Sequence, residues 1–135
     1  EWQDIVLSDE EFEEILSNNP DNQITPLSSD LINRHSIAIQ KNGNCLIIAG
    51  TTYGSSEVSK CGFTKVSIQR RSNSSASWSN YQTYFDLYNN SHQYILSKSI
   101  CVPSGYQYRV TCTHYAKKNL VSTQKINGTS NILTF

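Results

Sequence analysis

The 135-residue chain contains no methionine and only three prolines, and none of its four cysteines falls in a Cys-x-x-Cys unit. That last absence excludes the paired-thiol signature of zinc knuckles and dithiol redox sites. No apolar run approaches the roughly 20 residues of a membrane-spanning helix. Nor does a basic start precede an apolar stretch, and a chain beginning at Glu1 reads as mature or trimmed, with any signal peptide already removed. Carboxylates are scarce after the first thirty residues, where only Glu57 and Asp86 occur, so paired-carboxylate glycoside hydrolysis would have to borrow from the N-terminus. A Ser/His/Asp triad can be drawn through Asp86 with His92 or His114, but no Gly-x-Ser-x-Gly elbow supports it. The acids also lack the alternating spacing of a calcium loop. His35, His92 and His114 do not sit at metal-ligand spacing to a cysteine. The expectation is therefore a chain without catalytic site, metal or cofactor, in which His114 is a hydrogen-bonded strand residue.

What is present is a charge split that the net charge of zero hides. Residues 1–30 carry nine acidic side chains and no Lys or Arg, whereas residues 31–135 carry all eleven Lys and Arg against Glu57 and Asp86. Such asymmetry marks an arm or an interaction surface. Either the arm folds back onto its own basic domain, or a basic face awaits an anionic partner while the arm is held apart. Within the arm, Ser8 and Glu11 form a capping box, with Leu7 and Phe12 placed as a hydrophobic staple. This predicts a helix from Asp9 to Ser17 with Phe12, Ile15 and Leu16 on one face. So short a helix persists only if that stripe docks. The polar linker from Asp21 to Asp30, broken by Pro26, permits docking or departure.

From Ile37 onward the period changes from helical to alternating. Asn42-Gly43 is the strongest hairpin signal, flanked by Ile37–Gln40 and Cys45–Thr52. Further strands are expected over Phe63–Arg71, Trp78–Leu87, Tyr94–Val102 and Tyr106–Tyr115, with a seventh at Val121–Ile126 or Asn131–Phe135, divided by Asn127-Gly128. About seven short strands predict an all-β, immunoglobulin-like antiparallel sandwich over 31–135 with a short N-terminal α-helix in an acidic arm over 1–30. An antiparallel barrel is the alternative. In the sandwich order, Cys45 and Cys101 lie at one end of adjacent strands and Cys61 and Cys112 at the other, which predicts two disulfides, Cys45–Cys101 and Cys61–Cys112; buried free thiols are the alternative.

Two surface features point to binding. Lys60, Lys65, Arg70 and Arg71 lie along the third predicted strand, and Arg109, Lys117 and Lys118 along or beside the sixth, so this sheet is expected to present a basic outer face. Ordinary solvated charge that discourages edge pairing is the competing reading. The second feature is an aromatic run in which Trp78, Tyr84 and Tyr88 share one face of a regular strand and Tyr81 and Phe85 the other. One row is then a stacking platform for sugar rings, or else a core row packed under a loop or under the arm helix.

The stretch Cys61–Arg71 (CGFTKVSIQRR), Trp78 after a Ser/Asn loop, Gly50-Thr51-Thr52-Tyr53 and Gly105–His114 (GYQYRVTCTH) together resemble the small secreted proteins of Gram-positive, largely gut-dwelling bacteria that carry a domain of unknown function. The resemblance covers about residues 35–125 and implies export and a β-rich fold, but brings no activity with it. The expected function is a secreted, non-catalytic binding or adhesion module for an extracellular glycan, an anionic wall polymer or a protein. Nucleic acid is not an expected partner, since no nucleic-acid module is present. The alternative is a structural or regulatory protein whose acidic arm masks the basic face or clasps a partner subunit.

Overall fold

The computed structural model describes residues 1–23 and 31–135, so most of the predicted linker lies outside the described residues. Among the described residues nine strands and one α-helix run in the order β1 (Gln3–Asp4), α1 (Asp9–Leu16), β2 (Ile32–Asn42), β3 (Cys45–Gly54), β4 (Lys60–Arg71), β5 (Ser79–Asn89), β6 (Gln93–Cys101), β7 (Gln107–Asn119), β8 (Ser122–Thr129) and β9 (Leu133–Thr134), with a 3-10 turn at Pro20–Gln23 after α1. They form two antiparallel sheets, β1-β6-β3-β2 and β5-β4-β7-β8, with β9 on β7 beyond the end of β8. The chain is an all-β sandwich. The fourth body strand, β5, pairs with β4 and not with β6, which departs from the antibody constant-domain order. Tyr108, near the start of β7, donates its hydroxyl to the Pro103 carbonyl at 2.6 Å, the kind of corner that pins the return strand of a Greek key.

Alternation builds the core. Ile37, Ile39, Leu46, Ile48 and Leu96 from one sheet face Phe63, Val66, Ile68, Tyr108 and Val110 from the other, all buried. The β2–β3 hairpin turns on Gly43-Asn44, one residue later than the Asn-Gly signal suggests. Gly43 has φ +60°, and Asn42 pairs with Cys45 across a two-residue loop. Asn127-Gly128 does not divide the C-terminal strand. It stays inside β8, where a Cβ on Gly128 would lie 3.2 Å from both Cys112 Sγ and His114 Nε2, so a larger residue would press these buried side chains aside by a few tenths of an ångström.

The arm docks as an integral layer. Ser8 and Glu11 form the capping box in both directions. The stripe of α1 sets Ile15 and Leu16 against Ala38, Ile47 and Ala49 on the outer face of the first sheet, with Ile5, Leu7 and Phe12 around them. Just past the helix, Asn18, Asn19 and Asn22 supply amide groups to the free edge of β2. Asn19 Nδ2 donates to the Ile37 and Thr129 carbonyls at 2.7 and 2.9 Å, and Ile37 N–H donates to Asn22 Oδ1 at 3.0 Å. This edge is closed by side chains instead of being left as a template for another strand. Upstream, β1 pairs with β6, and Trp2 stacks face to face on Tyr84, ring centres 3.7 Å apart, across the open side of the sandwich. Helix and strand packing, not charge, hold the arm. Among the described residues its one ion pair is Asp4 with Lys98.

Candidate functional site

The outer face of the second sheet is the part of the fold where the sequence's cations gather. Outward positions of β7 are Gln107, Arg109, Thr111, Thr113, Tyr115 and Lys117, and their partners across β4 are Arg71, Gln69, Ser67, Lys65, Gly62 and Lys60. Arg109 and Lys117 are eight residues apart, so the cationic stripe runs roughly 26 Å along the sheet.

At one end, Arg71 and Arg109 place their guanidinium groups 4.2 and 4.5 Å from the ring centre of Trp78. Each is also tethered by a glutamine on the opposite strand: Arg71 Nε donates to Gln107 Oε1 and Arg109 Nε to Gln69 Oε1, both at 2.8 Å. The tethers use Nε and leave the outer guanidinium edge for bidentate contact with a carboxylate, sulfate or phosphate. Burial and the neighbouring Arg71 both press the Arg109 pKa downward, as expected of two like charges held together. Among the described residues no carboxylate forms an ion pair with Lys60, Lys65, Arg71, Arg109 or Lys117.

Two predicted members of this surface lie elsewhere, and one unpredicted residue joins it. Arg70 points to the inner rim, its guanidinium 4.5 and 4.2 Å from the ring centres of Tyr81 and Tyr106, because neighbours on a strand take opposite faces. Lys118 lies in a register shift beside the β7–β8 turn and pairs with Glu57 at 3.2 Å. Lys125, which sequence reasoning does not single out, stands on β8 opposite Tyr115 and extends the face; the alternation of β8 is the signal that could have found it.

The aromatic row does not exist as one platform. Trp78 precedes β5 and belongs to the arginine cluster. Tyr84 faces inward opposite Val66 and is covered by Trp2, and Tyr88 faces outward against Tyr115 at 5.2 Å with Lys60 above its ring at 4.6 Å. Two irregularities break the regular alternation that a single row requires. Register shifts where Tyr81 is skipped, and the pairing passes over Thr64 and Asp86, the latter at φ +58°.

Of the two predicted disulfides, Cys45–Cys101 is present between directly opposed residues of β3 and β6. Cys61 and Cys112 are free and buried, so the second bridge is corrected. Strand β7 continues four residues past its predicted end. Cys112 therefore faces Val66 while Cys61 faces Ala116, four residues or roughly 13 Å away, beyond the Cα separation a disulfide spans.

A polar relay runs through the interior. Thr52 Oγ1 donates to the Gly62 carbonyl at 2.9 Å and so accepts from His114 Nδ1 at 2.8 Å, which leaves Nε2 to accept from the Cys112 thiol at 3.5 Å. Burial, with His35 nearby, pushes His114 down to about 3, and burial pushes Cys112 up to about 12. Both groups stay neutral at pH 7, the opposite of an activated thiolate–imidazolium pair. Among the described residues no three His, Cys, Asp or Glu side chains gather in a metal-binding group, and no helix is long and apolar enough to cross a membrane. The chain matches no family model, no curated protein and no solved structure.

Proposed function

We propose that the protein is a secreted, non-catalytic binding module whose second sheet recognises an anionic extracellular polymer, a sulfated or carboxylated glycan or a phosphate-bearing wall polymer. The observation that carries this reading is the Arg71–Trp78–Arg109 cluster: two guanidinium groups on one indole, each oriented by a glutamine and neither ion-paired to a carboxylate among the described residues. Lys65, Lys60, Lys117 and Lys125 continue the charge along the sheet, which suits a linear polyanion better than a single small ion. The described part of the acidic arm lies on the opposite sheet, which supports binding over masking. The neutral, buried state of Cys112 and His114 supports a role without catalysis. Export is proposed from the Cys45–Cys101 disulfide and from the resemblance to exported proteins of Gram-positive bacteria.

The test is binding of the full chain to dextran sulfate, polygalacturonate and a polyglycerol phosphate, with neutral dextran as control, at low and moderate salt. Replacing Arg71→Gln with Arg109→Gln should weaken polyanion binding at least ~10-fold, and binding by the unaltered chain should fall as salt rises. No binding to any polyanion at low salt, or equal binding by the double variant, would overturn the reading.

A further inference from the structure

Strands β7 and β8 are joined by a two-residue turn, Leu120-Val121, between the paired residues Asn119 and Ser122. Two-residue hairpins favour Asn, Asp or Gly at these positions. Here a leucine and a β-branched valine stand 90 % and 94 % exposed. Asn119 does the local work, its Oδ1 accepting from Val121 N–H at 3.0 Å. The two apolar side chains contribute nothing to the turn or to the core. Residues that break a local rule without a folding gain are where function is expected. Lys117 and Lys118 precede the tip directly, and Lys118 is held only by the exposed Glu57 pair, which is weak and readily exchanged.

On the other sheet lies a complementary recess. A groove of about 570 Å³ separates the N-terminal segment and α1 from β3 and β6, with apolar walls from Ile5, Leu7, Phe12, Tyr53 and Ile95. Asp9 and Glu13 stand at its rim. Arg34, 6.0 Å from the Tyr53 ring centre, is the one cation placed beside these walls by a described aromatic contact. The volume falls in the range of true ligand sites and admits two aliphatic side chains with the backbone between them. Within one molecule the tip stays exposed and does not reach this groove.

We infer that the β7–β8 tip of one copy docks in the groove of a second copy, with Leu120 and Val121 against the apolar walls and Lys117 and Lys118 meeting Asp9 and Glu13. Charge complementarity selects this occupant. One side of the groove is built by the N-terminal segment, whose thirty residues hold no Lys or Arg, the tip follows a Lys-Lys pair, and a net charge of zero leaves little repulsion between copies. Tip and groove are different surfaces, so the contact is heterologous and propagates unless it closes. The interface is small, which makes the association weak and concentration-dependent. This contact shares Lys117 with the proposed polyanion surface, but the Arg71–Trp78–Arg109 cluster that anchors that surface lies at the other end of the sheet and takes no part here.

Sedimentation velocity of the full chain over a wide concentration range tests it. The variant Leu120→Asn/Val121→Gly removes the apolar tip while installing the turn sequence that two-residue hairpins prefer, so it should fold at least as well. Ile95→Lys, at a position 56 % exposed, places a cation in the groove without disturbing the core. The unaltered chain should self-associate, each variant alone should do so at least ~100-fold more weakly, and an equimolar mixture of the two should form a 1:1 pair and nothing larger. A monomer at every concentration, or unchanged association in either variant, would overturn the inference. So would a monomeric chain whose tip variant loses binding to phosphatidylglycerol vesicles, since the tip would then serve a lipid surface.

Discussion

Docking of the acidic arm through apolar contacts makes a sharp prediction about one backbone amide. Ile37 and Ile39 both direct their N–H groups to the free edge of β2, yet Ile37 N–H is bonded to Asn22 Oδ1 in the arm, whereas Ile39 N–H is bonded to Asn131 Oδ1 near the C-terminus. Hydrogen exchange at Ile37 therefore reports undocking of the arm, and Ile39, two residues away, is the internal control. Ile15 is 2 % exposed, and truncating such a residue to alanine costs about 2–5 kcal/mol. If that loss falls on arm docking, Ile15→Ala should speed exchange at Ile37 by at least ~30-fold, at a tenfold change per ~1.4 kcal/mol. Salt should do far less. Among the described residues the arm's single ion pair, Asp4–Lys98, has an 87 % exposed carboxylate side chain, and pairs of this kind contribute about 0.2–1 kcal/mol. Raising salt from about 0.05 M to about 1 M should thus change the Ile37 rate by no more than about fivefold. Rapid Ile37 exchange in high salt, with Ile15→Ala having little effect, would show that charge holds the arm and would refute the docking argument.

Two further predictions concern the interior. The folded-state pKa of His114 lies at about 3, below its ordinary value near 6.5, so the unfolded chain binds more protons between these limits and stability rises with pH across them. The contribution is intact above about pH 6.5 and lost as pH falls toward 3, at up to roughly 1.4 kcal/mol per pH unit; His35, also lowered by burial, acts in the same direction. Urea midpoints should hold above about pH 6.5 and fall steadily from there to about pH 4, and His114→Gln, though less stable overall, should show a flatter slope; an unchanged slope would count against the buried-neutral assignment. Cys61 and Cys112 should resist a thiol reagent in the native protein and react together on unfolding, whereas replacing Cys45 and Cys101 by serine should lower stability by about 4 kcal/mol, from the chain entropy of a bridge separated by 56 residues. One thiol reacting at native pH, or no stability loss in the double serine variant, would contradict this.

Much of the fold is legible because local rules point one way. The capping box and the Phe12, Ile15, Leu16 stripe place α1 within a residue of its observed end, and the strand order places Cys45 beside Cys101. Features that depend on an unbroken count fail. A two-residue period carried through Tyr81 and Asp86 puts Trp78, Tyr84 and Tyr88 on one face, whereas each irregularity turns the residues after it to the other face. The glycine of Asn127-Gly128 meets close packing from Cys112 and His114 on another strand, which no local pattern encodes. Strand β1 is two residues long and leaves no periodic trace. The arm helix covers small residues, Ala38 and Ala49, and not the aromatic row, because small side chains allow a helix to approach a sheet closely.

The charge split acquires its meaning from the two sheets. The described acids of the arm lie with the first sheet, where Asp4 pairs with Lys98, whereas Lys60, Lys65, Arg71, Arg109, Lys117 and Lys125 lie on the outer face of the second, with the core between. A sequence shaped only for stability would interleave these charges. Instead Arg71 and Arg109 are brought together on Trp78 without an ion-pairing carboxylate among the described residues, and their mutual repulsion is opposed only by indole stacking and two glutamine tethers. If the proposed polyanion binds between them, its charge relieves that repulsion. If so, a polyanion should raise the melting temperature of the unaltered chain and leave that of the Arg71→Gln/Arg109→Gln variant nearly unmoved, because a ligand stabilises only the state it binds.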